Sequence, residues 1–273
     1  MLYKSKQPIN RSQFRLFLGK NYYRMKRYFK WHFGDKKYAL EKKEDLLPYI
    51  IFSHKTPLLR KLKEVDMWLQ HNKIINLKIA TKKIDKLIVY PNEVFSYWKS
   101  IGKTSKRKGY VEGMVLSNGK AITGVGGGLC QLSNLIFWMS LHTPMKVIER
   151  YRHGFDAFPD SNRTQPFGSG ATCAYNYLDL QIQNITKQKF QLHIYLDDTH
   201  LIGQWRSSKP TMTNYEVYEK EHKITHEVWG GYMRHNQIYR KVFNLSGEQI
   251  SDEFVTQNHA IMMYEPMLSD NRE

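Results

Sequence analysis

The sequence predicts an α+β protein: an antiparallel sheet around a central buried helix that follows a Gly-rich loop, with helices before it and β-hairpins after it. Three observations predict this. Residues 131–141 are strongly apolar, follow Gly126-Gly127-Gly128 and stop at His142-Thr143-Pro144, the pattern of a buried helix. Two pairs of segments flank turn residues: 111–116 and 121–125 about Ser117-Asn118-Gly119, and 215–229 and 232–243 about Gly230-Gly231. Ahead of both, apolar residues recur at helical spacing.

Taken in order, residues 1–45 form a basic amphipathic N-terminal region. Phe14, Phe17, Leu18, Tyr22, Met25 and Phe29 fall on one helical stripe among Arg11, Arg15, Lys20, Arg24, Lys26, Arg27 and Lys30. Such a stripe is expected to pack on the domain core. The alternative is a basic helix lying in a membrane interface. Residues 55–72 read as a helix begun near Pro57, with Leu58, Leu62, Val65 and Leu69 on one face, and 77–88 as a second. Tyr90-Pro91-Asn92 is a turn and 93–98 a strand. After the central helix, 145–150 reads as a strand, 151–170 as a polar loop, and 171–184 with 189–196 as a strand pair. Beyond Ser207-Ser208-Lys209-Pro210 the pattern becomes β-rich, with a short last strand at 260–264. The expected division is 1–45, a main α+β domain at 46–208 and a β-rich extension at 209–273.

Composition narrows the functional classes. With 273 residues, 41% of them hydrophobic and 25% charged, the chain can bury a core and is not a disordered polyelectrolyte. No apolar run reaches the ~18–20 residues of a membrane-spanning helix. Two cysteines exclude a disulfide scaffold and an all-cysteine zinc site. The net charge of +17 is concentrated: residues 1–110 hold 27 basic and 8 acidic side chains (+19), so the other 15 basic and 17 acidic residues sum to −2. That field favours a polyanion, either an anionic membrane surface or a cell-wall precursor. Nucleic acid is disfavoured, because no helix-turn-helix, zinc finger or aromatic RNA-binding signature is present. The start of the chain shows no secretory h-region, which predicts a cytoplasmic protein, peripheral on the membrane if it meets one.

The chemistry-bearing residues lie between 124 and 180. Cys130 follows the glycine run and opens the apolar helix, where N-terminal amides and the helix dipole can activate a thiol and hold an oxyanion. Gly126, Gly127, Gly128 and Gln131 are the candidate oxyanion and loop residues. A cysteine nucleophile needs a base. His153 follows 23 residues later on a segment that can return to the start of the helix, and His142 competes with it. Asp156, Asp160 or Asn162 could orient the imidazole. Arg150 and Arg152 are candidates for gripping a carboxylate or phosphate. Each has a plainer reading, in which the thiol is a small buried hydrophobe and His153 a structural histidine. Cys173 reads as structural. The scattered histidines lack ligand spacing, so neither metal nor cofactor is expected.

These segments also carry a resemblance. Pro91-Asn92-Glu93-Val94-Phe95-Ser96-Tyr97-Trp98, Gly126-Gly127-Gly128-Leu129-Cys130-Gln131-Leu132-Ser133-Asn134-Leu135, Leu141-His142-Thr143-Pro144, Glu149-Arg150-Tyr151-Arg152-His153 and the Gly-x-Ala-Thr stretch at 168–172 are similar to the VanW family, over about residues 45–200. The resemblance implies an association with glycopeptide resistance or the cell envelope rather than one particular reaction. Many members carry Asp where this chain has Gly170, and many have a secretory or anchoring N-terminus. Two functions follow from different classes. One is a Cys-His hydrolase or acyltransferase acting on peptidoglycan or its precursors. The other is a non-catalytic, envelope-associated module that binds an anionic glycan, a carboxylate or a lipid surface.

Overall fold

The computed structural model describes residues 11–59, 66–117, 119–157 and 164–266. Helix α1 (Gln13–Phe33) starts at Ser12, whose Oγ accepts from the Arg15 amide at 3.3 Å. Strand β1 (Tyr49–Pro57) and helix α2 (Met67–Ile84) replace the two helices expected over 55–72 and 77–88. The helical spacing of Leu69, Leu77, Ala80 and Ile84 is real, and all four are buried, but they share one helix. Strand β2 (Leu87–Val89) precedes the turn at Pro91. Strand β3 (Val94–Ser96) then runs directly into α3 (Tyr97–Ile101), with the Ser96 hydroxyl as its cap.

The hairpin of β4 (Glu112–Ser117) and β5 (Lys120–Val125) delivers the chain to α4 (Cys130–Leu141). Strands β6 (Lys146–Glu149) and β7 (Phe155–Asp156) follow. The expected strand over 171–184 is confined to β8 (Gln181–Gln183). It pairs with β3 and β6, whereas β9 (Phe190–Leu196) pairs with β2 and with β10 (His200–Ser207). The two segments expected to form one pair therefore serve different sheets. Three long strands follow, β11 (Thr213–His226), β12 (Tyr232–Asn244) and β13 (Gln249–Met262). The last is a full strand rather than the short 260–264 segment, because its many polar residues hide its alternation.

The α+β expectation holds, and its antiparallel sheet is divided. The sheets run β1-β10-β9-β2, β3-β8-β6, β4-β5 and β11-β12-β13-β7, and the β13–β7 pairing alone among them is parallel. Helix α4 is the central buried helix: Leu132, Leu135, Ile136, Phe137, Met139 and Leu141 are all at most 3% exposed. It packs on β1, β10 and β6. Gly203 on β10 permits this approach, since a Cβ there would stand 2.6 Å from the Met139 Cε.

Helix α1 departs from expectation. Its apolar stripe does not pack on the core: Phe14, Phe17, Met25 and Phe29 are 70%, 63%, 72% and 64% exposed. The helix is held by another face and by polar groups. Arg24 donates Nε–H to the Tyr175 carbonyl at 2.9 Å, and Arg27 donates to the Asn176 carbonyl at 3.0 Å and pairs with Glu149 through both terminal nitrogens. Lys99 reaches the Trp31 carbonyl from the body of the protein at 3.1 Å. Arg27 is the buried residue of the helix.

One polar contact within the core gives a stability test. The indole N–H of fully buried Trp205 donates to the Ser140 Oγ of α4 at 3.1 Å. Ser140→Ala strands that donor, and denaturant unfolding should show a loss of about 1–3 kcal/mol.

Candidate functional site

The Gly-rich loop is a packing junction. Gly126 and Gly128 adopt φ of +79° and +88°, backbone that favours glycine. Gly127 lies against β4, where an added Cβ would meet the Gly113 carbonyl at 2.2 Å. Asn76 of α2, fully buried, clamps the junction by donating to the Gly127 and Val111 carbonyls at 2.9 and 3.1 Å and accepting from the Val111 amide. Four amides of the loop and helix start are committed as well: Gly126 N–H to the Val111 carbonyl, Gly127 to Gly124, Gly128 to Met114 and Gln131 to Gly128. The Gln131 side chain points to β1, donating to the Thr56 Oγ1 and Pro57 carbonyl at 2.9 Å each.

Cys130 is the first residue of α4. The residue is partly exposed. Burial pushes the thiol's pKa up, outweighing the backbone amides of Cys130 and Cys173 that favour a thiolate. Cys173 sits close by on an irregular segment, and burial pushes its thiol well up.

His153 lies between β6 and β7, half-buried, with its pKa lowered first by burial and then by the charge of Arg152. Among the described residues no hydrogen bond joins the Cys130 sulfur to this imidazole. Asp156 on β7 instead meets Arg234 of β12 at 3.4 Å and accepts from the Tyr264 hydroxyl at 2.9 Å. Asp160 and Asn162 lie outside the described residues.

Arg150 is an internal strut. It donates to the Gly170 carbonyl at 2.8 Å, to Thr256 and Asn258 of β13 at 3.0 Å each, and to the Gly168 carbonyl, and its guanidinium lies over Phe137. Arg152 stacks on Phe167 at 3.8 Å. At Gly170 an added Cβ would stand 2.7 Å from the Asn134 Oδ1, which accepts from the Ala171 amide, so that side chain would have to give way. His142 ends α4 as expected of a capping residue, stacked on Phe52 with ring centroids 3.9 Å apart.

Sequence reasoning missed two features. One is the Arg27–Glu149 pair, joining residues 122 positions apart. The other is Asp179, fully buried, which accepts from the Ser96 hydroxyl at 2.6 Å and the Trp98 amide at 3.0 Å. Neither has a local signature, although Glu149 stands within a quoted motif. Among the described residues there is no group of His, Cys, Asp and Glu able to hold a metal ion.

The description "VanW like protein" matches residues 72–206. Over 215 residues, 79% of this chain and 78% of the relative, the chain is 34% identical to the vancomycin B-type resistance protein VanW of Enterococcus faecalis. The chain belongs to the VanW family. It is also 31% identical over 112 residues to the uncharacterised protein YoaR of Bacillus subtilis, covering 40% of this chain and 34% of that protein. No solved structure matches. The VanW match runs from within α2 to within β10, so it holds the glycine junction, α4 and the Glu149–His153 motif.

His142, inside the VanW region, gives a pH test. Burial lowers its pKa to about 4 from the ordinary histidine value. Between pH ~6.5 and ~4 the unfolded chain therefore binds a proton that the folded chain does not, and stability falls as pH falls through that window. Unfolding measured from pH 7 to pH 4 should lose on the order of 2 kcal/mol from this group, and His142→Phe should flatten that part of the profile.

Proposed function

We propose that this chain serves glycopeptide resistance as a non-catalytic, envelope-associated module seated on an anionic lipid surface by α1. The family relationship to an enterococcal vancomycin-resistance protein supports the setting. The observation that carries the mode of action is the solvent-facing stripe of α1. At ~100° per residue, Phe14, Met25, Leu18, Phe29, Tyr22 and Phe33 follow one another around one arc, opposite the Arg27 side that holds the helix to the body. Helix α1 has six Lys and Arg residues and no acidic residue, and Arg15, Lys26 and Lys30 line one edge of the arc. A large apolar arc edged by cations suits the boundary between headgroups and acyl chains. Each cation near an anionic surface contributes about 1 kcal/mol, and each ring withdrawn from water about 1.5–3 kcal/mol.

The core supports binding over catalysis. The thiol's pKa is raised, the loop amides donate to carbonyls within the fold, and Arg150 spends its donors internally. Among the described residues no helix is long and apolar enough to cross a membrane.

Sedimentation with vesicles tests the surface. The protein should pellet with phosphatidylcholine vesicles containing ~30% phosphatidylglycerol, pellet poorly with phosphatidylcholine alone, and release at high salt. Changing Phe14, Met25 and Phe29 together to Ser should weaken binding at least tenfold without changing stability, since all three are exposed. Binding unchanged by these substitutions would sink the proposal.

Iodoacetamide tests the thiol. Native Cys130 should alkylate slowly at pH 7 and quickly once unfolded. Fast native labelling with an apparent pKa below the free value of ~8.5 would restore the hydrolase reading.

A further inference from the structure

A cleft of about 280 Å³ opens where α1 meets the body, lined by Asn21, Arg24, Met25, Tyr28, Lys103 and Tyr175. We propose that it binds a phosphate group, with a phosphate-bearing lipid as the ligand that its position favours. This deepens the lipid-surface reading and rests on it only for the source of the phosphate.

The lining holds two cations and no acid. Arg24 is oriented by its Nε–H bond to the Tyr175 carbonyl at 2.9 Å, and its two terminal nitrogens have no hydrogen-bond partner among the described residues. Lys103, from the loop after α3, also lines the cleft and is exposed, with no ion pair among the described residues. The hydroxyls of Tyr28 and Tyr175 lie 2.6 Å apart. One hydroxyl hydrogen serves that contact, so the other can donate to a ligand. Burial and the Tyr28 hydroxyl push the pKa of Tyr175 up, which keeps it a donor.

A guanidinium, an ammonium and a phenol, from α1 and two separate loops, line one cleft and together offer several donors. A carboxylate offers two coplanar oxygens that one guanidinium already satisfies. A phosphate offers at least three oxygens at tetrahedral angles and more charge, so it uses the whole set. The volume is at the small end for ligand sites and suits a headgroup. Met25 lines the cleft and also belongs to the exposed apolar arc. A phosphate held between Arg24 and Lys103 would therefore leave an attached chain beside Met25 and Phe29.

The test is calorimetric titration of the full chain with monomeric dihexanoyl phosphatidic acid, inorganic phosphate and acetate. Saturable binding of the phosphatidic acid is expected, unaffected by acetate and weakened about tenfold by either Arg24→Gln or Lys103→Gln, the loss of one charge-assisted contact. Lys103→Gln is the safeguard, because Lys103 is exposed and its replacement leaves the fold intact. Weaker binding of inorganic phosphate supports a lipid source. Equal binding, with the same loss in both variants, supports the site with free phosphate as its ligand. Absence of saturable binding by either phosphate compound, or binding unchanged in Lys103→Gln, overturns the proposal. Neither result depends on vesicles, so failure of this site and failure of the surface reading are separable.

Discussion

The orientation of α1 is set by a few polar contacts, and the buried one among them is an ion pair. Arg27 is the buried residue of that helix, and Glu149, 17% exposed in its side chain, receives both ends of its guanidinium. A buried pair contributes little net stability, because desolvation consumes most of the attraction, but breaking it leaves an uncompensated charge inside the protein. Its consequence is therefore directional. Any roll that brought the apolar arc onto the core would lift Arg27 away and leave Glu149 facing the buried Asp179. The same carboxylate accepts from the Asp179 amide at 3.4 Å, so the helix is tied into the polar network beneath β3 and β8. The result is a helix whose hydrophobic side is kept outside by a polar lock.

The glycine run shows how packing alone can call for three glycines before a helix. Three glycines before a helix suggest an anion cradle. Here Gly126 and Gly128 supply positive φ, and Gly127 supplies closeness to Gly113. Asn76 then fastens the loop to α2. Once those amides are paired within the fold they are poor candidates for an oxyanion, since a group already hydrogen-bonded gains little by exchanging partners. The thiol is subject to the same accounting. Its place at a helix start favours the anion, but burial penalises it more.

What was legible in the sequence were features whose cause is local. The hairpins at 112–125 and 213–244, the buried α4 and the basic α1 all follow from turn residues, apolar density or helical spacing. What was not legible depended on partners far away. Residues 55–57 look like a helix start because Pro57 and Leu58 suit one, yet β1 extends through Pro57 because it pairs with β10 on the other side of the chain. Strand β13 is polar along much of its length and is fixed by β12 and β7 rather than by its own alternation. Arg150, a natural anion ligand by type, is consumed by Gly168, Gly170 and β13, and nothing within its motif signals that. The α1 stripe was visible, but its direction was not, because that was decided by Glu149 on β6 and the carbonyls of Tyr175 and Asn176, all more than 120 residues away.

Length alone would let α1 cross a bilayer, since 21 residues rise about 31 Å, close to the hydrocarbon thickness. Its chemistry forbids that orientation. Six cations lie along it, and a transverse placement would carry several to the bilayer centre at a cost of about 2.5–3.5 kcal/mol each. It would also tear Arg27 from Glu149 and Arg24 from Tyr175. Lying flat retains every one of these contacts, keeps Arg15, Lys26 and Lys30 in the headgroup layer and immerses only the arc from Phe14 to Phe33. On the proposed surface the body would remain on the aqueous side, with the basic residues 1–110 adding long-range attraction that the nearly neutral remainder does not oppose.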